Sequence, residues 1–183
     1  MSGYMSVAGM NRNFGHYRKE VHIGIGQFKT PAAGAPAIAT QDNTTMLSFA
    51  QNDTESIFLT WKVPEDYAGG DLTVEIHWTN DSGVDDEGKN VRWELNYQTV
   101  ALALGSIAGD HANSPKVVND TYTSATGHLF HTADMATVAA ADFAGDHQVQ
   151  FRLTAIAPAA VAMTGEAQFL EMMISYDAWR MVI

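Results

Sequence analysis

The stretch "IFLTWKVPEDYAGGDLTVEIHWTND" constrains the fold more than any other, because an alternation of period two runs up to a proline and resumes eight residues later. Ile57, Leu59, Trp61 and Val63 alternate with Phe58, Thr60 and Lys62. A strand points successive side chains to opposite faces, so the four apolar residues share one face. Pro64 then removes a ladder donor and ends the strand. Glu65 to Gly70 supply turn residues, and Leu72, Val74, Ile76 and Trp78 alternate with Thr73, Glu75, His77 and Thr79. Half-buried antiparallel strands are written this way.

The pattern recurs. Val91, Trp93, Leu95 and Tyr97 alternate with Arg92, Glu94, Asn96 and Gln98 after the polar "NDSGVDDEGKN", which predicts a long-looped hairpin with the preceding strand. Val149, Phe151, Leu153 and Ala155 interleave with Gln148, Gln150, Arg152 and Thr154. After the loop "APAAVAMTGEA", residues 169–176 form a last strand with Leu170, Met172, Ile174 and Tyr176 on one face. Shorter candidates are 46–50 and 121–131, and "DMATVAAADFAG" reads as a helical turn or an extended connector. Regular strands with no long helical period predict an all-β antiparallel sandwich, jelly-roll-like, over residues 41–183. Trp61, Trp78 and Trp93 are expected in its core.

Residues 1–40 read differently. "TPAAGAPAIAT" mixes small residues, Gly and Pro without an apolar period, as a linker or extended arm would. Val21, Ile23 and Ile25 alternate with His22, Gly24 and Gly26, a short strand suited to covering a sheet edge on a neighbour. The chain of 183 residues has net charge −11, yet Arg12, Arg18, Lys19 and Lys29 face only Glu20 in the first thirty residues. An acidic body thus carries a slightly basic arm, expected to dock on a partner through Arg12, Arg18, Lys19, His22, Ile23 and Lys29 and to be dispensable for folding. The overall charge excludes a nucleic-acid footprint, and no apolar run approaches the ~20 residues of a membrane-spanning helix. The N-terminus lacks the apolar run of a secretory signal, so synthesis in the cytoplasm is expected.

Chemistry is hard to find. Cysteine is absent, so no disulfide, thiol nucleophile or thiolate metal site arises. His128 and His131 in "GHLFH" lack a metal-binding motif and are expected at the surface. Asp81, Asp85, Asp86 and Glu87 fail the spacing of a calcium loop, with Asp86 at the glycine position and Arg92 at the bidentate position, so a solvated acidic loop is expected. No serine lies in a GxSxG elbow, Glu65 and Asp66 suit a turn better than a glycosidase pair, and "GIG" lacks the rest of a dinucleotide fingerprint. The reading is of a noncatalytic protein with no catalytic residues, cofactor or metal. Trp179, just past the last strand, is a candidate ligand or subunit contact.

Val63, Pro64, Asp66, Tyr67, Asp71, Leu72, Thr73, Val74, Trp93 and Glu94 form a V-P-x-D-Y corner, a D-[IL]-T-V strand and a W-E strand. Over about residues 45–178 this resembles a recurrent β-sandwich domain in virion structural proteins of tailed bacteriophages. The resemblance implies a jelly-roll module on a virion, partnered by the major capsid protein or other virion proteins, in a capsid decoration, head fibre or tail appendage. It also implies a homotrimer, which the small apolar residues of "AIAPAAVAM" and "DMATVAAADFA" would suit. The expected role is a decoration protein that stabilises the shell and docks through its arm. The alternative is a receptor- or glycan-binding module of a tail or head fibre, marked by aromatic side chains exposed on a loop. A cellular carbohydrate-binding domain is a third reading.

Overall fold

The computed structural model describes residues 14–51, 55–81, 85–101, 115–139, 147–158 and 160–181. Among them it has ten strands: β1 (Phe14–Gly24), β2 (Ala37–Gln41), β3 (Thr44–Phe49), β4 (Ser56–Lys62), β5 (Leu72–Asn80), β6 (Asn90–Ala101), β7 (Lys116–Thr121), β8 (His131–Val138), β9 (His147–Ile156) and β10 (Ala167–Met181). A 3-10 turn, Ile25–Gln27, follows β1, and no helix among the described residues is long and apolar enough to cross a membrane. The strands form two antiparallel sheets packed face to face, an all-β, jelly-roll-like sandwich. One sheet runs β2-β3-β10-β5-β8 with β1 also on β10, and the other runs β4-β9-β6-β7.

The alternating residues meet between the sheets. Leu72, Val74, Ile76 and Trp78 are buried from one side, and Val91, Trp93, Leu95 and Tyr97 from the other. Trp61 is also buried, against Tyr176 at 5.9 Å between ring centroids. The hairpin expected between β5 and β6 does not form. Each strand carries a full apolar face, and two such faces bury more surface by packing across the sandwich than by lying side by side in one sheet. The connection between them is held by Asp86, which is fully buried rather than solvated. Its carboxylate accepts hydrogen bonds from the backbone N–H groups of Thr164 (2.6 Å) and Gly165 (2.7 Å), the Thr164 hydroxyl (2.7 Å), the Asn80 amide (3.0 Å) and Lys89 Nζ (3.2 Å).

The corner at Pro64 carries the chain from the smaller sheet to the larger. Gly69 and Gly70 adopt φ of 93° and 89°, a left-handed region costly to any side chain. The corner lies along the end of β10: Ala68 N–H donates to Asp177 O and Trp179 N–H to Asp66 O, both at 2.8 Å. The V-P-x-D-Y residues therefore form a clamp between the two sheets.

Several expectations need correction here. The segment 1–40 is not a free arm over its described part, since β1 pairs with β10 of its own chain from Phe14↔Met181 to Gly24↔Glu171, and β2 pairs with β3. Ile23 is 2% exposed, a core residue, because its place opposite Met172 points it inward. Residues 121–131 are mostly the connection from β7 to β8, and residues 134–138 of the expected helical turn or connector belong to β8. His131 points inward onto Trp78 and Tyr122, at 5.1 and 4.7 Å, whereas His128 is exposed with φ of 62°.

Candidate functional site

One irregularity of β10 builds the site. Phe169 lies opposite Trp78 and Glu171 opposite His77, so Leu170 is an extra residue, a β-bulge. The bulge reverses the phase of the strand. Phe169 enters the core together with Met172, Ile174 and Tyr176, while Leu170 is displaced to a half-buried outer position. Uninterrupted alternation would have placed Leu170 inside and Phe169 outside. The neighbour of β10 also changes at this point, since β3 pairs with Ala167–Phe169 and β1 takes over from Glu171 onward along the same edge.

Where the two neighbours meet, the outer face holds a cleft of about 560 Å³. Its lining includes Gln41, Asp42, Thr44, Thr79, Phe130 and Glu171. Phe130 is 54% exposed at the end of the β7–β8 connection, and Leu129 beside it is 47% exposed. Phe130 meets the imidazole of His77 edge-on, with 4.9 Å between ring centroids and 65° between planes, which holds the ring although one side faces solvent.

At the cleft floor Glu171 Oε1 lies 2.8 Å from His77 Nδ1 and 3.0 Å from His22 Nδ1. Register explains the convergence: His77 is directly opposite Glu171 on β5, and His22 is two residues from the position opposite it on β1, which returns it to the same face. Gly24, opposite Glu171 on the other side, has no side chain to cover it, and a Cβ there would meet nothing within 4 Å. Burial raises the Glu171 carboxyl's affinity for its proton, but the hydrogen bonds with His22 and His77 outweigh it and hold the group below the usual carboxylate range. The cleft therefore offers an ionised carboxylate, amides and hydroxyls beside an exposed aromatic ring. An ionised Glu171 has no proton to give, so it is unsuited to act as a general acid.

Of the residues expected to dock a partner, Arg18, Lys19, His22 and Ile23 make side-chain contacts within the chain, whereas Lys29 is exposed and is held through its backbone. Arg18 donates to the Thr73 hydroxyl and lies 3.6 Å from Asp177. Lys19 Nζ donates to Asp66 Oδ2 at 2.7 Å, and this bond raises the lysine's pKa and lowers that of the aspartate. Lys29 forms backbone hydrogen bonds with Phe58 in both directions. Arg12 falls outside the described residues. Trp179 is 45% exposed, edge-on to His16 at 4.2 Å. Eight residues along β10 from Glu171, it is about 26 Å from the cleft. Sequence reasoning missed Glu171, His77 and Phe130; the exposed aromatic in "GHLFH" was the one signal available.

A second depression, of about 480 Å³, lies on the outer face of the smaller sheet. It is lined by Ser56, Arg92, Glu94, Arg152, Thr154, Ile156 and Ala157, with no aromatic residue among them. Glu94 accepts from Asn96 at 2.7 Å and lies 3.9 Å from Arg152, while the buried Nε atoms of Arg92 and Arg152 have no hydrogen-bond partner among the described residues.

No protein-family model matches this sequence, and no curated protein does. Among solved structures the chain is similar to the CBM36-1 domain of a multidomain xylanase from the hindgut metagenome of Trinervitermes trinervoides, at 10% identity and a TM-score of 0.47, covering 85% of this chain and 96% of that one. It is also similar to the xylan-binding module CBM15, at 12% identity and a TM-score of 0.42 over 86% and 97% of the two chains. A third is TmCBM61, solved in complex with β-1,4-galactotriose, at 11% identity and a TM-score of 0.32 over 89% and 88%. Likenesses this distant carry no functional inference, which must come from the cleft itself.

Proposed function

We propose that the protein is a noncatalytic glycan-binding β-sandwich module whose ligand lies in the cleft beside Phe130. The observation that carries this reading is the pairing of a half-exposed aromatic ring with Glu171, Asp42, Gln41 and Thr44 around one groove. A sugar ring has an apolar C–H face and a rim of hydroxyls. It needs a flat apolar surface together with hydrogen-bonding groups at the edge, and this cleft supplies both. The second depression lacks the flat surface.

The virion setting implied by the resemblance is compatible with this role, since a glycan-binding module on a particle would serve receptor recognition. Attachment to a shell through the basic N-terminal residues has less support. Arg18 and Lys19 already face Asp177 and Asp66, and a docking partner would have to displace these contacts.

A glycan array probed with the fluorescently labelled protein tests the reading. Binding to one class of glycan is expected, and Phe130→Ala should reduce it at least about tenfold, the scale of one stacked aromatic contact. Absence of binding across a broad array, or binding that Phe130→Ala and Gln41→Ala leave unchanged, would overturn it.

A further inference from the structure

We propose that His22, His77 and Glu171 form a binding site for a divalent transition-metal ion, zinc by preference, open to the cleft on one side. Their candidate ligand atoms all lie within 4.8 Å of one another. Tetrahedral zinc with bonds of about 2.0–2.1 Å to nitrogen places neighbouring ligand atoms roughly 3.3 Å apart, so the two contacts to Glu171 must open from 2.8 and 3.0 Å and the two nitrogens must come to that spacing from within 4.8 Å.

The hydrogen-bonding logic points the same way. His77 Nε2 lies 3.7 Å from Glu75 Oε2, near enough for that carboxylate to take up an Nε2–H once Nδ1 is given over to a metal. Without a metal, His77 Nδ1–H donates to Glu171 Oε1 at 2.8 Å, and His22 Nδ1 approaches the same oxygen at 3.0 Å. Electron-rich atoms at such distances need a positive centre between them. A proton on each ring is one answer, and a single metal ion replacing both protons is the other. Two nitrogens and one oxygen suit zinc, nickel or copper and suit calcium poorly, because calcium takes an all-oxygen shell.

The three strands hold the ligands rigidly. His77 and Glu171 are directly paired, and His77 has a side chain only 8% exposed, whereas His22, with 53% of its side chain exposed, can adjust. Three protein ligands leave a fourth position free, and the open space over Gly24 and the cleft beside Glu171 give a path to it. Sequence spacing hid this set, because Glu171 stands 149 residues from His22 and 94 from His77.

Isothermal titration calorimetry of the full-length protein, stripped with chelator and titrated with zinc chloride, tests the site. One zinc ion per chain at micromolar affinity or tighter is expected, with no comparable heat from calcium chloride. His22→Ala and Glu171→Gln should each abolish the transition, with circular dichroism confirming an intact β-sheet fold. Glu75→Gln should weaken it about tenfold. Gln41→Ala, a cleft change on β2 away from the three ligand-bearing strands, should leave zinc binding unchanged, which separates this proposal from the glycan reading. No zinc binding, or zinc binding that survives both His22→Ala and Glu171→Gln, would overturn it.

Discussion

Trp78 and Trp93 face each other across the sandwich, with ring centroids 6.4 Å apart and planes inclined at 66°, although they belong to different sheets. Both are fully buried. Phe49 and Phe169 add edge-on contacts to Trp93 at 5.4 and 6.5 Å. Replacing either tryptophan with alanine should therefore cost about 3–5 kcal/mol. Urea unfolding followed by circular dichroism would measure the loss, and iodide should quench native tryptophan fluorescence mainly through exposed Trp179.

β1 should matter for stability as well as for the cleft. It covers β10 along eleven residue pairs and buries Ile23, so deleting residues 1–24 uncovers a long strand edge. The deletion should lower the melting temperature and promote aggregation, and Ile23→Ala alone should cost about 2–5 kcal/mol. Differential scanning calorimetry of both variants decides the point; an unchanged melting temperature for both would mean that β1 is not part of the cooperative fold.

Asp86 predicts an acid-sensitive clasp. Burial favours its protonated form, but bonds from the Thr164 backbone and hydroxyl, the Gly165 backbone and Lys89 prevail and bring its pKa down to about 2. The folded pKa lies below the unfolded value near 3.9, so the contribution is complete above about pH 5 and fades as pH falls towards 2. Its size is roughly 2 kcal/mol. Asp86→Asn should be less stable than the native chain at neutral pH, and the difference in urea midpoints should shrink on acidification.

His131 acts in a different window. Stacked between Trp78 and Tyr122, it has its pKa lowered by burial, partly opposed by the charge of Asp120. The unfolded chain binds this proton more readily than the folded one. Stability attached to His131 is therefore present above the unfolded value near 6.5 and is lost as pH falls below it. His131→Phe should flatten the stability profile between about pH 7 and pH 5.

The local pattern made the strands legible and left their partners hidden. Alternation around Trp61, Trp78, Trp93 and Phe151 identifies strands and inward faces, because period two is a property of each strand alone. Nothing local says that Trp78 and Trp93 belong to opposite sheets. The bulge at Leu170 was likewise invisible, since a phase change depends on which residues of β5 lie opposite. The cleft inherits both problems: His22, His77 and Glu171 come together only once the register of β1, β5 and β10 is set. Ile23 was misplaced for a related reason, because a short apolar alternation reads alike whether its partner is the same chain or another.

The pairing of Phe14 with Met181 gives the module a direction. Facing residues on antiparallel strands sit about 5 Å apart, so anything joined before residue 14 or after residue 181 meets the sandwich at one pole. Glu171 lies ten residues back along β10, about 33 Å from that pole. A tether fixed there would hold the cleft outward, towards whatever approaches. The same geometry lets the sandwich be spliced into a surface loop of another protein without prising the host's ends apart, with its groove carried at the far tip.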